Sequence, residues 1–205
     1  MNRGEFLAAL GVLVVIAAVG VWQLRSTSVP AEPSVASPPK GEFARFPVGR
    51  AAPDFELKEI GGARAIRLSA LCGRPTVLAF GSFSCDLFCS QTKQLVALHS
   101  ELGGQANFLF VYIREAGHGN PDLDAHLREK PRDRIAAGLE LYKIGFPCVD
   151  GRESEIVREY HGWPERLYLL DDTGVVVWES SVGIGTEGMR LPEAEAKLRS
   201  MLMRQ

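Results

Sequence analysis

The stretch "FGSFSCDLFC", Phe80 to Cys89, sets two cysteines four positions apart directly after an apolar run. If a helix begins at this point, Cys85 and Cys89 lie one turn apart on the same face. A sulfur at a helix start meets unpaired backbone N–H groups and the positive end of the helix dipole, and both favour the thiolate. The neighbouring Asp86 carboxylate acts in the opposite sense, so only moderate activation is expected. A disulfide across an i,i+4 helical pair has poor geometry and is easily reduced. The pair therefore reads as a working couple, with Cys85 the nucleophile and Cys89 the resolving thiol. Cys72 in "ALCGRP" and Cys148 in "GFPCVDG" sit in turn-like contexts and read as small hydrophobes. Spacing alone leaves a Cys72–Cys148 disulfide open.

The elements that must position the pair follow from periodicity. "APDFELKEI" and "AIRLSAL" flank Gly61-Gly62 as two short strands around a turn. Thr76 to Phe80 is a β-rich apolar run without alternation, as in a strand buried on both faces. Phe88, Leu95, Leu98 and Leu102 then recur at helical spacing, and Gly103-Gly104 supplies a stop. His99, within that helix, reads as a surface residue. Asn107 to Ile113 is a second buried strand, joined to the first by a connection long enough for a right-handed crossover, so the two are expected to be parallel. A second helix is expected over Arg132 to Ile144. The mixed-sign run "LREKPRDR", Leu127 to Arg134, reads as a solvated helix start. A hairpin turning at Asp172-Thr173-Gly174 and an amphipathic helix from about Pro192 complete the chain. The order ββ, βαβ, α, ββ, α predicts an α/β thioredoxin-like fold with an N-terminal β-hairpin extension. In such folds a cysteine at the carboxyl edge of a central strand stands where ligands bind.

Composition narrows the function. The 205 residues carry a net charge of −2 and no basic stripe, which gives nucleic acid no footing. From Phe6 to Trp22 the chain is uncharged and apolar, and Leu24 extends the run before Arg25. At about 1.5 Å per residue it crosses a ~30 Å hydrocarbon core once, and no small-residue cleavage site follows it. Residues 1–25 are therefore expected to be an uncleaved signal-anchor, and residues 26–50, rich in Pro, Ser and Ala, a linker. Residues 51–205 form the folded domain. A short N-terminal tail kept in the cytoplasm would place that domain on the extracytoplasmic, periplasmic side, where disulfides form.

With these elements in place, "RPTVLAFGSFSCDLF", "FLFVYIREAGH", "RDRIAAGLEL" and "PERLYLLDDTGVVVWES" resemble, in order and separation, the iodothyronine deiodinases. The resemblance covers the chain from about Gly73 to the C-terminal helix. It implies a thioredoxin-fold oxidoreductase with a membrane segment, whose catalytic selenocysteine falls on Cys85. It also places a family acid on Glu115 and a family histidine on His118, displaced by the inserted Gly117. A second family histidine corresponds to His126, and the arginine of "ERLY" to Arg166, both expected to contact substrate. Three departures follow: sulfur replaces selenium at Cys85, Phe83 replaces a family cysteine two residues upstream, and Cys89 is an added thiol. Loss of selenium weakens the nucleophile and the leaving group, whereas Cys89 supplies a built-in resolver. His118, beyond the second buried strand, is positioned to orient or protonate, with Glu115 raising its basicity. Pro164 precedes the third core strand, where thioredoxin-like folds carry a cis-proline facing the active cysteine. Arg166 also has a plainer reading, a surface pair with Glu165.

No resident cofactor is expected. The partners implied are the membrane, an external thiol reductant, either a protein or a small thiol, and a small-molecule or disulfide substrate. One rival reading uses Cys85, Cys89 and His161 as Cu(I) ligands, because the cysteine spacing and a histidine before "YLLD" resemble Sco-type copper metallochaperones. Two soft thiolates and one imidazole suit Cu(I).

Overall fold

The computed structural model describes residues 46–115, 119–129, 133–180 and 188–204. The apolar run from Phe6 to Trp22, the linker up to residue 45 and His118 lie outside the described residues, whereas Gly49 and Arg50, at the end of the expected linker, hydrogen-bond to Val176 of the domain. Among the described residues, no helix is long and apolar enough to cross a membrane.

A two-stranded antiparallel hairpin, β1 (Glu56–Lys58) and β2 (Ala65–Arg67), opens the domain. The main sheet contains β3 (Thr76–Gly81), β4 (Asn107–Tyr112), β5 (Cys148–Asp150), β6 (Arg166–Leu170) and β7 (Val176–Glu179), in the spatial order β5-β4-β3-β6-β7. β3 is central and every one of its residues is buried, as its unbroken apolar run requires. β4 lies parallel to β3 with Gly81 opposite Tyr112, and β6 lies antiparallel to it with Phe80 opposite Arg166. These two registers bring the end of β4 and the start of β6 to the same sheet edge as the end of β3. The antiparallel pairing of β6 with β7 turns through Gly174, at φ +85°, where Asp171 Oδ1 accepts from the Thr173 and Val175 N–H groups.

The sheet has two buried faces. Val77 and Ala79 point to one, with Phe88, Leu95 and Leu98 of helix α1 (Asp86–Leu102) and Leu191, Ala194 and Leu198 of the C-terminal helix. Leu78 and Phe80 point to the other, with Phe55, Ile66, Leu68, Tyr160 and Tyr168. Each large side chain so buried contributes roughly 1.5–3 kcal/mol.

Between β4 and β5 the chain forms two helices, α2 (Pro121–Glu129) and α3 (Arg134–Leu141). The sequence pattern predicts only the latter, and with wider bounds. Asp133 fixes its start, accepting from the N–H groups of Ile135 and Ala136. The short α4 (Ile156–Glu159) precedes β6, and α5 (Leu191–Leu202) closes the domain with a proline in its first turn, as expected. His99 is half-buried, its ring edge-on to Phe108 at 5.1 Å and tilted against Phe146 at 5.0 Å, and is not the surface residue its helical position suggests.

Candidate active site

Cys85 is the N-cap residue of α1, with extended backbone angles (φ −94°, ψ 108°). Its carbonyl accepts the Cys89 N–H at 2.9 Å, so the two cysteines sit one turn apart. Gly81 makes this placement feasible: a Cβ there would overlap the Phe88 ring, which folds the first turn of α1 onto the end of β3. Gly138 serves the same end on α3, where a Cβ would overlap the ring of Phe83.

Opposite Cys85 stands the start of β6. The Trp163–Pro164 peptide is cis, and the next residue, Glu165, is 7% exposed. The Cys85 thiol donates to Glu165 Oε2 at 3.7 Å. Burial pushes Cys85 up to about 11, and the Glu165 charge adds to that rise, against the opposing N–H groups of Phe88 and Leu87. Burial likewise pushes Glu165 up to about 7, although the Cys85 hydrogen bond and the Arg166 charge hold it back. The helix start therefore acts on Cys85 as expected, yet desolvation outweighs it. The acid facing Cys85 is Glu165, while the Asp86 charge bears on Cys89.

Cys89 occupies a different setting. Its thiol donates to the Phe83 carbonyl at 3.5 Å, and the Asn120 side-chain amide lies 3.6 Å from its sulfur and 2.9 Å from the Tyr142 hydroxyl. Burial raises its pKa, Tyr142 counters the rise, and the charges of Glu115, Asp86 and Glu165 add to it. Glu115 also accepts from the Tyr112 hydroxyl, and its second oxygen is buried with no partner among the described residues.

The remaining predicted residues are placed as follows. His126 lies on α2, with Nε2 3.9 Å from Glu140 Oε1 of α3. Arg166 is 1% exposed, and its guanidinium reaches Glu179 Oε2 at 3.2 Å and the carbonyls of Ser180 and His161 at 3.0–3.3 Å. A surface pair with Glu165 is thus not what forms: both side chains are buried, and Arg166 bonds the Glu179 carboxylate. All four cysteines are free, so neither a Cys72–Cys148 nor a Cys85–Cys89 disulfide is present. Cys148 is buried as expected of a small hydrophobe, whereas Cys72 is exposed.

The copper reading is corrected by the same geometry. Among the described residues no three His, Cys, Asp or Glu side chains gather as a metal-binding group. His161 follows α4 at φ 48°, and its carbonyl is held by the Arg166 guanidinium. Burial and that neighbouring positive charge both lower the His161 pKa.

Sequence reasoning passed over Glu165, Asn120 and Tyr142. The signal for Glu165 was its position directly after Pro164. Asn120 and Tyr142 offered none, because only the tertiary fold brings them to Cys89.

The sheet order and the cysteine at the start of α1, beside the end of the central strand, define a thioredoxin-like domain. Solved structures agree. A secreted Mycobacterium tuberculosis disulfide oxidoreductase homologous to E. coli DsbE matches with a TM-score of 0.55 at 14% identity, over 71% of this chain and 95% of that one. The thioredoxin domain of a thiol-disulfide oxidoreductase from Bacteroides vulgatus matches with a TM-score of 0.54 at 15% identity, over 73% and 97%. More specifically, the chain belongs to the iodothyronine deiodinase family, whose model matches residues 40–195. It is 34% identical over 157 residues to a thyroxine 5-deiodinase of Sparus aurata, covering 71% of this chain and 58% of the other. It is 28% identical over 145 residues to a type I iodothyronine deiodinase of Xenopus laevis, covering 66% and 57%. The chain thus spans less than two thirds of the length of these relatives.

Proposed function

We propose that this protein is a membrane-tethered thiol oxidoreductase in which Cys85 is the nucleophile and Cys89 the resolving thiol. The observation that carries the reading is the Cys85 sulfur at the start of α1, 3.7 Å from a buried carboxylate, with a second sulfur one turn on. Glu165 accepts the Cys85 proton as the sulfur attacks an electrophilic atom: a disulfide sulfur, a peroxide oxygen or a halogen. A bond to Cys85 Sγ forms, and the leaving group departs with its electron pair. Cys89 then attacks Cys85 Sγ to give the disulfide, which an external thiol reduces. With an iodinated aromatic substrate, the halogen passes to sulfur, and His118 with Glu115 delivers a proton to the ring carbon. Family membership supports that substrate class. The uncharged run from Phe6 to Trp22 supports the tether.

The pH dependence of Cys85 alkylation tests the thiol activation. Below about 7 Glu165 is protonated and accepts no proton, so the iodoacetamide rate at the Cys85 peptide should fall with falling pH. From there up to about 11, where the thiol itself ionises, the rate should be nearly flat. Glu165→Gln should erase the lower inflection and leave a rate that climbs throughout the interval. An unchanged inflection in the variant would remove Glu165 from the mechanism.

A further inference from the structure

The two sulfurs stand in unequal surroundings. The side chain facing Cys85 is a carboxylate, which repels a thiolate. Those around Cys89 include two neutral donors arranged in series. Asn120, 6% exposed, is locked at the start of α2: its Oδ1 accepts the Leu123 N–H at 3.0 Å, and its Nδ2 donates to the Phe83 carbonyl at 2.6 Å. The same Nδ2 lies 2.9 Å from the Tyr142 hydroxyl and 3.6 Å from Cys89 Sγ. Tyr142 is held flat against Phe83, with ring centroids 5.5 Å apart and planes within 9°. Because the amide donates to the phenol oxygen, the phenol hydrogen is left for another acceptor, and Tyr142 acts on the nearby Cys89 as a donor that favours its thiolate. Donors in series polarise one another, so the bond to an anionic sulfur strengthens most.

We propose that Asn120 and Tyr142 form a donor relay that makes Cys89 the leaving sulfur when an external thiol reduces a Cys85–Cys89 disulfide. The inference rests on the reading of the two cysteines as a working pair. The reductant thiolate bonds to Cys85 Sγ, the Cys85–Cys89 bond breaks, and its electron pair departs on Cys89 Sγ, where the Tyr142 hydroxyl receives it. A second reductant thiol attacks the external sulfur and frees Cys85. Two thiols are thereby oxidised to one disulfide, and their two protons end on Cys85 and Cys89. Burial and the charges of Glu115, Asp86 and Glu165 oppose the ionisation of Cys89 and leave its pKa raised, and Tyr142 is the neighbour that counters them.

The test oxidises the full-length chain with diamide, confirms the Cys85–Cys89 bond, and reduces briefly with glutathione. After acid quenching and alkylation with N-ethylmaleimide, peptide mass spectrometry locates the adducts. Glutathione is expected on Cys85 and maleimide on Cys89. Tyr142→Phe keeps the ring against Phe83 and should slow reduction about tenfold. In a Cys85→Ser background, Tyr142→Phe should also lower the Cys89 thiolate fraction at fixed pH by about tenfold, read by ultraviolet absorbance. Glutathione found on Cys89, or a Tyr142→Phe protein reduced at the parent rate, would overturn the relay while leaving the working pair intact. Failure of diamide to form the bond would instead overturn the pair, and the relay with it.

Discussion

Cys85→Ser is expected to lose about a thousandfold or more of thiol-dependent turnover, whether the substrate is a peroxide, a disulfide or an iodothyronine. A serine hydroxyl in the same place is not ionised by a carboxylate that titrates near 7, and it has no sulfur on which to hold the oxidising equivalent. Cys89→Ser should behave differently. Its first chemical step needs only Cys85 and Glu165, so one equivalent of substrate per chain should react in a rapid burst. Steady turnover should then fall about tenfold or more, because an external thiol must replace a neighbour held one turn away. Rapid-quench measurement of product per chain separates the two variants. A Cys85→Ser protein with the parent burst would refute Cys85 as the nucleophile.

Arg166→Met should destabilise the domain by about 3–5 kcal/mol, as expected when one partner of a buried charge pair is removed. The guanidinium is 1% exposed and reaches Glu179 together with the carbonyls of His161 and Ser180. It therefore ties the start of β6 to the end of β7 and to the segment after α4. Methionine matches its volume but leaves the Glu179 charge without this cation in a dry setting. The family resemblance assigns the same residue to substrate contact, and the two roles predict different measurements. A structural role gives a urea midpoint well below the parent's with an unchanged slope. A substrate contact alone gives parent stability with a raised KM.

Much of this architecture can be read from residue order. β3, β4, α1 and the β6–β7 hairpin carry long, regular apolar patterns, and β3 with α1 fixes Cys85 at the sheet edge. β5 and α4 span only three and four residues, too few to show a period. α2 buries only Leu123, so its pattern is almost wholly polar. Glu165 is harder for a physical reason. Beside Arg166 in sequence it looks like half of a surface pair, but the antiparallel register sets Arg166 opposite Phe80 and turns Glu165 toward Cys85. Asn120 and Tyr142 meet at 2.9 Å although 22 residues separate them, and neither residue type signals chemistry alone. Cys89 was legible as a partner for Cys85, whereas the donors that set its reactivity were not.

The pairing of the two sulfurs is tested most directly by titrating the reduced protein with one equivalent of hydrogen peroxide and mapping every cysteine by mass spectrometry. The account predicts the loss of two thiols per chain, with Cys85 and Cys89 recovered as one linked peptide pair and with Cys72 and Cys148 still open to alkylation after denaturation. Oxidation confined to the exposed Cys72, with Cys85 recovered as a free thiol, would contradict it.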